Sequence, residues 1–196
     1  MRWRARAIVQ LQMRPRACRP QLKRDPLGRR SGSLRLPHHA RPRYTEPLMT
    51  PEPQDPDFRT RVKASFSRQA FMTTIGASLE LVEPGEVHIA LPFSTHLSQQ
   101  HGYLHAGATT AIADSANGYA ALTLAPADAD VLAVEFKINL MAPASAGRFL
   151  ARGRVLRPGR RLSVCLAEVV ALNGADQEVI ATMLSTISIR PGGRPA

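Results

Sequence analysis

His101-Gly102-Tyr103-Leu104-His105-Ala106-Gly107-Ala108-Thr109-Thr110-Ala111-Ile112-Ala113-Asp114-Ser115-Ala116-Asn117-Gly118-Tyr119-Ala120 decides the fold. It opens with the His and Gly of a loop and passes into a run of small residues long enough for a helix. Of the twenty residues 106–125, eight are Ala and two are Gly, and Asp114 carries the only charge. Small side chains let a sheet approach closely, so such a helix can be enclosed on nearly all sides. Pro126 closes it.

Downstream the pattern changes from helical to strand periods. Val131–Met141 alternates, with Leu132, Val134, Phe136, Ile138 and Leu140 expected on one face and Ala133, Glu135, Lys137 and Asn139 on the other. Arg148–Leu156, Arg161–Leu172 and Glu178–Ile189 read as three further strands. Arg157-Pro158-Gly159-Arg160 suits a type II turn, and Asn173-Gly174-Ala175-Asp176 joins the last pair. Four successive strands with tight turns predict an antiparallel meander. Both faces of Cys165–Leu172 are apolar apart from Glu168, so part of the outer sheet face is expected to be covered by another subunit.

Upstream, Pro51, Pro53 and Pro56 mark a linker over 49–57. Phe58, Val62 and Phe66 stand four apart and predict an amphipathic helix running on to Phe71-Met72 and ending near Gly76. Ser78–Glu83 and Glu86–Leu91 alternate around Pro84-Gly85, a hairpin. One helix can cover six strands only if a twisted sheet curls around it. The expected class is α+β, a curled antiparallel sheet wrapped on a long central helix, over residues 58–190, with 191–196 a tail.

The net charge of +11 is local. Residues 1–48 hold thirteen Arg and Lys against Asp25 and Glu46, and the remaining chain is neutral. That segment cannot bury enough apolar surface to offset ordering entropy and is expected to be disordered. Three readings stay open for it: sequence upstream of a start at Met49, an organelle transit peptide, or an arm for nucleic acid or another acidic surface. Its charge says nothing about the globular part, for which nucleic acid is an unexpected partner. Cys18 and Cys165 make no disulfide framework, which points to a reducing, cytoplasmic setting. No apolar run is long enough for a membrane span.

With these elements in place, the sheet-around-a-helix pattern resembles the hotdog fold. Gln99-Gln100-His101-Gly102-Tyr103-Leu104-His105-Ala106-Gly107, with an acidic residue nine after His105, resembles the phenylacetate-type acyl-CoA thioesterases. Their signature is His-Gly-Gly and an Asp at that distance. The resemblance takes in Val134–Asn139 and Met141-Ala142-Pro143-Ala144, spans roughly Phe66 to Ile189, and is nearest the subgroup acting on medium- and long-chain acyl-CoA. It implies that Asp114 is general base or nucleophile and that the Ala106 N–H polarises the thioester carbonyl. It also implies that Gln99 positions water or substrate, and that the site straddles a dimer interface with the carboxylate from the partner. Two positions depart from the family pattern: Ala106 replaces the usual first Gly, and Ala133 stands where some members carry Ser or Thr.

The residues carry the same chemistry on their own terms. Thioester hydrolysis needs a donor for the developing oxyanion and a group that delivers water. Free N–H groups of the first helical turn, at Ala106 and Gly107, suit the oxyanion. Asp114 lies about 12 Å further along the helix at about 1.5 Å per residue, so one chain cannot join the two. A symmetric dimer, in turn a candidate dimer of dimers, is therefore expected. His105 either holds the loop through ring hydrogen bonds or transfers protons; Gln99 and Gln100 compete to point inward, and His101 is structural or lines the substrate. Arg157, Arg160 and Arg161 are candidates for the phosphates of coenzyme A, against the reading of the Arg run as a solvated face, and Lys137 is a further candidate for substrate binding.

No His/Cys set has metal-ligand spacing, there is no P-loop, nucleophile elbow or dinucleotide fingerprint, and the chemistry needs no cofactor. A module that binds acyl-CoA without turnover is the alternative, favoured by Ala106 and Ala133. A dehydratase is the remote one, since no His follows near Asp114.

Overall fold

The computed structural model describes residues 52–192. The basic segment 1–48, Cys18, the first linker residues and the end of the tail lie outside them. The elements are α1 (Phe58–Ser67), α2 (Ala70–Ile75), β1 (Ser78–Glu83), β2 (Glu86–Pro92), α3 (Ala106–Thr123), β3 (Asp130–Leu140), β4 (Arg148–Arg157), β5 (Leu162–Asn173) and β6 (Asp176–Arg190). The six strands form one antiparallel sheet in the order β1-β2-β4-β5-β6-β3, curled about α3. This is the expected fold class.

Helix α3 is the hub. Twelve of its eighteen residues are buried, and Ile112, Ala113, Ala116 and Ala120 are wholly enclosed against Val87, Ile89, Phe149 and Met183 of the sheet. The approach is tight at Gly153 of β4, where a Cβ would stand 2.4 Å from the Ala116 carbonyl carbon and 2.7 Å from the Asn117 nitrogen. The expectation that small residues admit the sheet thus holds on both partners. The C-terminal end of α3 is capped from the opposite direction. Arg61 of α1 donates to the Leu122 and Ala125 carbonyls at 2.8 and 3.0 Å and to that of Pro126 at 2.5 Å, and pairs with buried Asp55 at 3.3 Å. A cation there meets the negative end of the helix dipole.

Four local expectations are corrected. The helix from Phe58 breaks at Arg68-Gln69, because Ser67 and Arg68 turn back to the Ala64 carbonyl and the chain redirects Met72 and Ile75 into the core. Gly76, at φ +74°, ends the second piece in the left-handed region that favours glycine. The four-strand meander is replaced by β4-β5-β6, with β3 returned to the far edge beside β6. The 141–147 connection is no tight turn: it crosses the sheet end, held by Met141 N–H to Ile180 O (2.8 Å), Leu104 N–H to Ala144 O (3.0 Å) and Asn173 Nδ2 to Ser145 O (3.2 Å). Gly159 does not have positive φ, so no type II turn forms. Glycine is required there by crowding, since a Cβ would lie 2.1 Å from the Leu162 carbonyl oxygen.

The fourth correction bears on the site. The pairing of β3 with β6 shifts between Ala133↔Ile187 and Glu135↔Thr186, leaving Val134 as a bulge. One extra residue reverses the alternation. Val131 and Ala133 therefore share the helix-facing side with Phe136, Ile138 and Leu140, whereas Leu132 and Val134 leave it. Among the described residues β3 has a neighbour on one side only, and Leu132, Val134, Phe136 and Leu140 are each about half exposed.

Candidate functional site

The residues before α3 fold into a small hairpin. Ser98 bridges Leu104, Gln99 N–H donates to Tyr103 O at 2.8 Å, and Gly102 takes φ +86° at the turn. The hairpin settles which glutamine points inward. Gln99 is half-buried, its Oε1 accepting from the His101 N–H, and it lines a depression of about 190 Å³ with Ala106, Thr109, Leu140 and Ile180. Gln100 and His101 are exposed at the tip.

His105 is the N-cap of α3, with extended backbone and Nδ1 accepting from the Gly107 N–H at 2.8 Å. The ring thus holds the helix start, and it explains Gly107, where a Cβ would lie 3.0 Å from Nδ1. It also divides the two expected oxyanion donors. The Gly107 amide is engaged within the chain, whereas that of exposed Ala106 has no acceptor among the described residues. The half-positive end of the dipole is presented through Ala106.

Asp114 lies two turns on, in a different place. It faces an open cleft of about 450 Å³ between α3, the α1–α2 corner and the first half of β3. Ser65, Gln69, Ser115 and Tyr119 form the polar wall, and Val131, Ala133 and Phe136 the other. Its Oδ1 is shielded from solvent and has no hydrogen-bond partner among the described residues, and burial pushes the carboxyl pKa above its ordinary value. Burial likewise raises the Tyr119 phenol, against the lowering pull of a hydrogen bond with Ser65 and of the Arg68 charge. Ser115 Oγ stands 3.5 Å from Gln69 Oε1. Asn117, by contrast, is fully buried and donates to Ser185 Oγ at 2.8 Å, a core tie. The Cys165 thiol is enclosed in β5 and pushed up to about 12, which makes it inert as a nucleophile.

One chain does not bring the expected groups together. Gln99 and Ala106 border one depression and Asp114 another, and the two lie beside opposite ends of the open edge strand β3. Lys137 pairs with Leu184 on the sheet face away from α3 and donates to Asn139 Oδ1 at 2.7 Å, off both pockets. Arg157, Arg160 and Arg161 are exposed; Arg160 and Arg161 border a separate hollow with Leu162, Ser188 and Ile189 beyond the start of β3. The polar wall from Ser65 and Gln69 was not read from the sequence. The signal was the Phe58/Val62/Phe66 stripe, because a helix laid on α3 by that stripe must carry its flanking polar residues to the same groove.

Comparisons with known proteins agree with this architecture. The thioesterase superfamily pattern matches residues 101–177, from the hairpin to the start of β6. A thioesterase family protein from Silicibacter pomeroyi is 42% identical, with TM-score 0.68, over 69% of this chain and 99% of that one. A protein of Thermoplasma volcanium that bears the name of an esterase, TV1331, is 30% identical over 113 residues, 58% of this chain and 83% of its own length. The thioesterase enzyme SAV0944 of Staphylococcus aureus is 25% identical with TM-score 0.58, over 63% of this chain and 100% of that one. SAV0944 has been solved with alanine in place of a glutamine and, separately, of a glutamate fifteen positions later. The hotdog architecture and these relatives together place the chain in the thioesterase superfamily, as a thioester hydrolase.

Proposed function

We propose that this protein hydrolyses acyl-CoA thioesters, with medium- and long-chain acyl groups as its substrates, at sites shared between two copies of the chain. The observation that carries the reading is the unpartnered, shielded oxygen of Asp114 at an open cleft beside one end of the edge strand β3, with a helix N-terminal amide that has no acceptor among the described residues beside the other end. Antiparallel pairing of two β3 strands about their middle sets the first half of one against the second half of the other. Asp114 of one copy then approaches Ala106 and Gln99 of its partner. The half-exposed Leu132, Val134, Phe136 and Leu140 on that edge favour such pairing, since an apolar free edge is a liability in water.

In this reading the thioester carbonyl accepts from the Ala106 N–H, and the dipole of α3 stabilises the charge that develops on oxygen. Gln99, its Oε1 held by the His101 amide, offers its Nε2 hydrogens to substrate or water. Asp114 takes a proton from the attacking water, or attacks the carbonyl itself. Gln99 and Asp114 stand fifteen residues apart, the separation of the two altered positions in SAV0944. The deciding experiment is a panel of acyl-CoAs from acetyl to palmitoyl against wild type and Asp114→Asn. General-base catalysis is worth about 10²–10⁴ in rate, and a loss of that order is expected in the variant. Full activity of Asp114→Asn sinks the mechanism, and tight binding of every thioester without turnover by wild type favours the binding module.

A further inference from the structure

Gly118 is an interior residue of α3 whose identity the packing does not explain. Glycine is the costliest helix-interior residue short of proline, and its usual excuses are absent here. Its φ is not positive, and a Cβ built on it meets nothing within 4 Å. The contrast with Gly153 is direct, because there the helix backbone itself fills the Cβ position. Gly118 also falls on the open stripe of α3: it is one of the few residues of that helix that are not buried, one turn beyond Asp114. It lines the Asp114 cleft, which continues past it to Leu122 and Val131.

We infer that Gly118 is the specificity-determining residue of this enzyme: its missing side chain leaves the floor of the Asp114 cleft open, so that the acyl chain of the substrate runs over it toward Leu122. The inference rests on the acyl-CoA reading above and adds which part of the ligand lies where. Asp114, Gly118 and Leu122 are spaced four apart and line up along one side of the helix, about 6 Å per step. A short acyl group ends before Gly118, whereas a longer one must cross it. On the β3 side the groove is walled by Val131, Ala133 and Phe136, apolar as an alkyl chain requires, with Asp130 at its end beside Val131.

The test measures binding apart from turnover. Asp114→Asn serves as the non-hydrolysing parent, and Gly118→Ala and Gly118→Leu are added to it; dissociation constants are measured for acetyl-, hexanoyl-, decanoyl- and palmitoyl-CoA. The Leu variant is expected to weaken decanoyl- and palmitoyl-CoA by tenfold or more and to leave acetyl-CoA within about twofold, as a pocket that loses several methylene positions does. The Ala variant is expected to raise the thermal midpoint by a few degrees, since it removes a helix-interior glycine. Equal weakening of all four thioesters, or an unchanged chain-length profile in a folded Leu variant, overturns the inference. So does loss of the dimer in the Ala variant, because the glycine would then serve subunit approach. Failure of wild type to hydrolyse any of the four defeats the proposed reaction, and the binding profile still decides on Gly118.

Discussion

Asp114 is held in a setting that opposes its charge, and the sign of that effect is testable. Burial raises its pKa above the ordinary 3.8, with no hydrogen-bond donor among the described residues to compensate on Oδ1. Between 3.8 and the raised value the folded chain binds more protons than the unfolded one. Stability therefore falls as pH rises through that window and stays reduced above it. Asp114→Asn is expected to be more stable than wild type at pH 7 and to lose that advantage near pH 3, as read from denaturant midpoints. The same displacement moves the acid limb of kcat/KM above the range of an exposed carboxylate, because a base must be deprotonated to act. At the other half-site, Ala106 permits a deletion of one N–H with little structural cost. It is the first residue of α3, where proline is favoured, and His105 before it sits at φ −64°, ψ 138°, the region a following proline imposes. Ala106→Pro is expected to keep its melting temperature within a few degrees and to lose about 10²–10³ in kcat, as for a deleted oxyanion donor. An active Ala106→Pro enzyme places the oxyanion elsewhere.

At the level of elements, the glycine at 153 tests the idea that close approach of helix and sheet organises the fold. The atoms a Cβ would strike are backbone atoms of α3 and cannot rotate aside. Gly153→Ala is expected to cost about 1–3 kcal/mol, visible as a lower urea midpoint at unchanged m-value. Most of this level was legible in the sequence. The small-residue helix, the hairpin at Pro84-Gly85 and all six strands follow from local periodicity and turn residues, within two residues at most boundaries. What stayed hidden depends on contacts far along the chain. The Val134 bulge is fixed by the register of β3 on β6, whose partner residues lie some fifty positions away, so the alternation of 131–141 reads as unbroken until the pairing is known. The return of β3 to the sheet edge is set by what the 141–147 connection bonds to, and no local signal encodes that. Pro158-Gly159 has the composition of a type II turn, yet glycine serves there to admit the Leu162 carbonyl. The site follows the same division. Asp114, Ala106 and Gln99 are candidates that one stretch of chain presents together, whereas Ser65 and Gln69 reach the Asp114 cleft from another element, where no motif marks them.

The whole molecule is organised around a separation that one chain cannot close. Ala106 and Asp114 lie about 12 Å apart along a rigid helix, and each borders its own depression beside a different end of β3. No rotamer change joins them, so the proposed chemistry requires a two-fold partner, and that requirement gives a sharper test than oligomer size. Chains carrying Asp114→Asn keep the amide half-site, and chains carrying Ala106→Pro keep the carboxylate half-site. Each variant alone assembles two defective sites and is expected to be nearly inactive. When the two are co-expressed with different tags and mixed dimers are isolated, one site receives both lesions and the other receives none. The mixed dimer is then expected to recover about half of the wild-type rate, with wild-type KM, because the intact site is chemically complete. If each site lay within a single chain, every site in the mixed dimer would carry one lesion and the rate would stay at the level of the parents. Recovery near half therefore requires that the carboxylate act across the interface, and the KM of the recovered activity tells whether Gln99 and the Gly118 groove come together intact in that composite site.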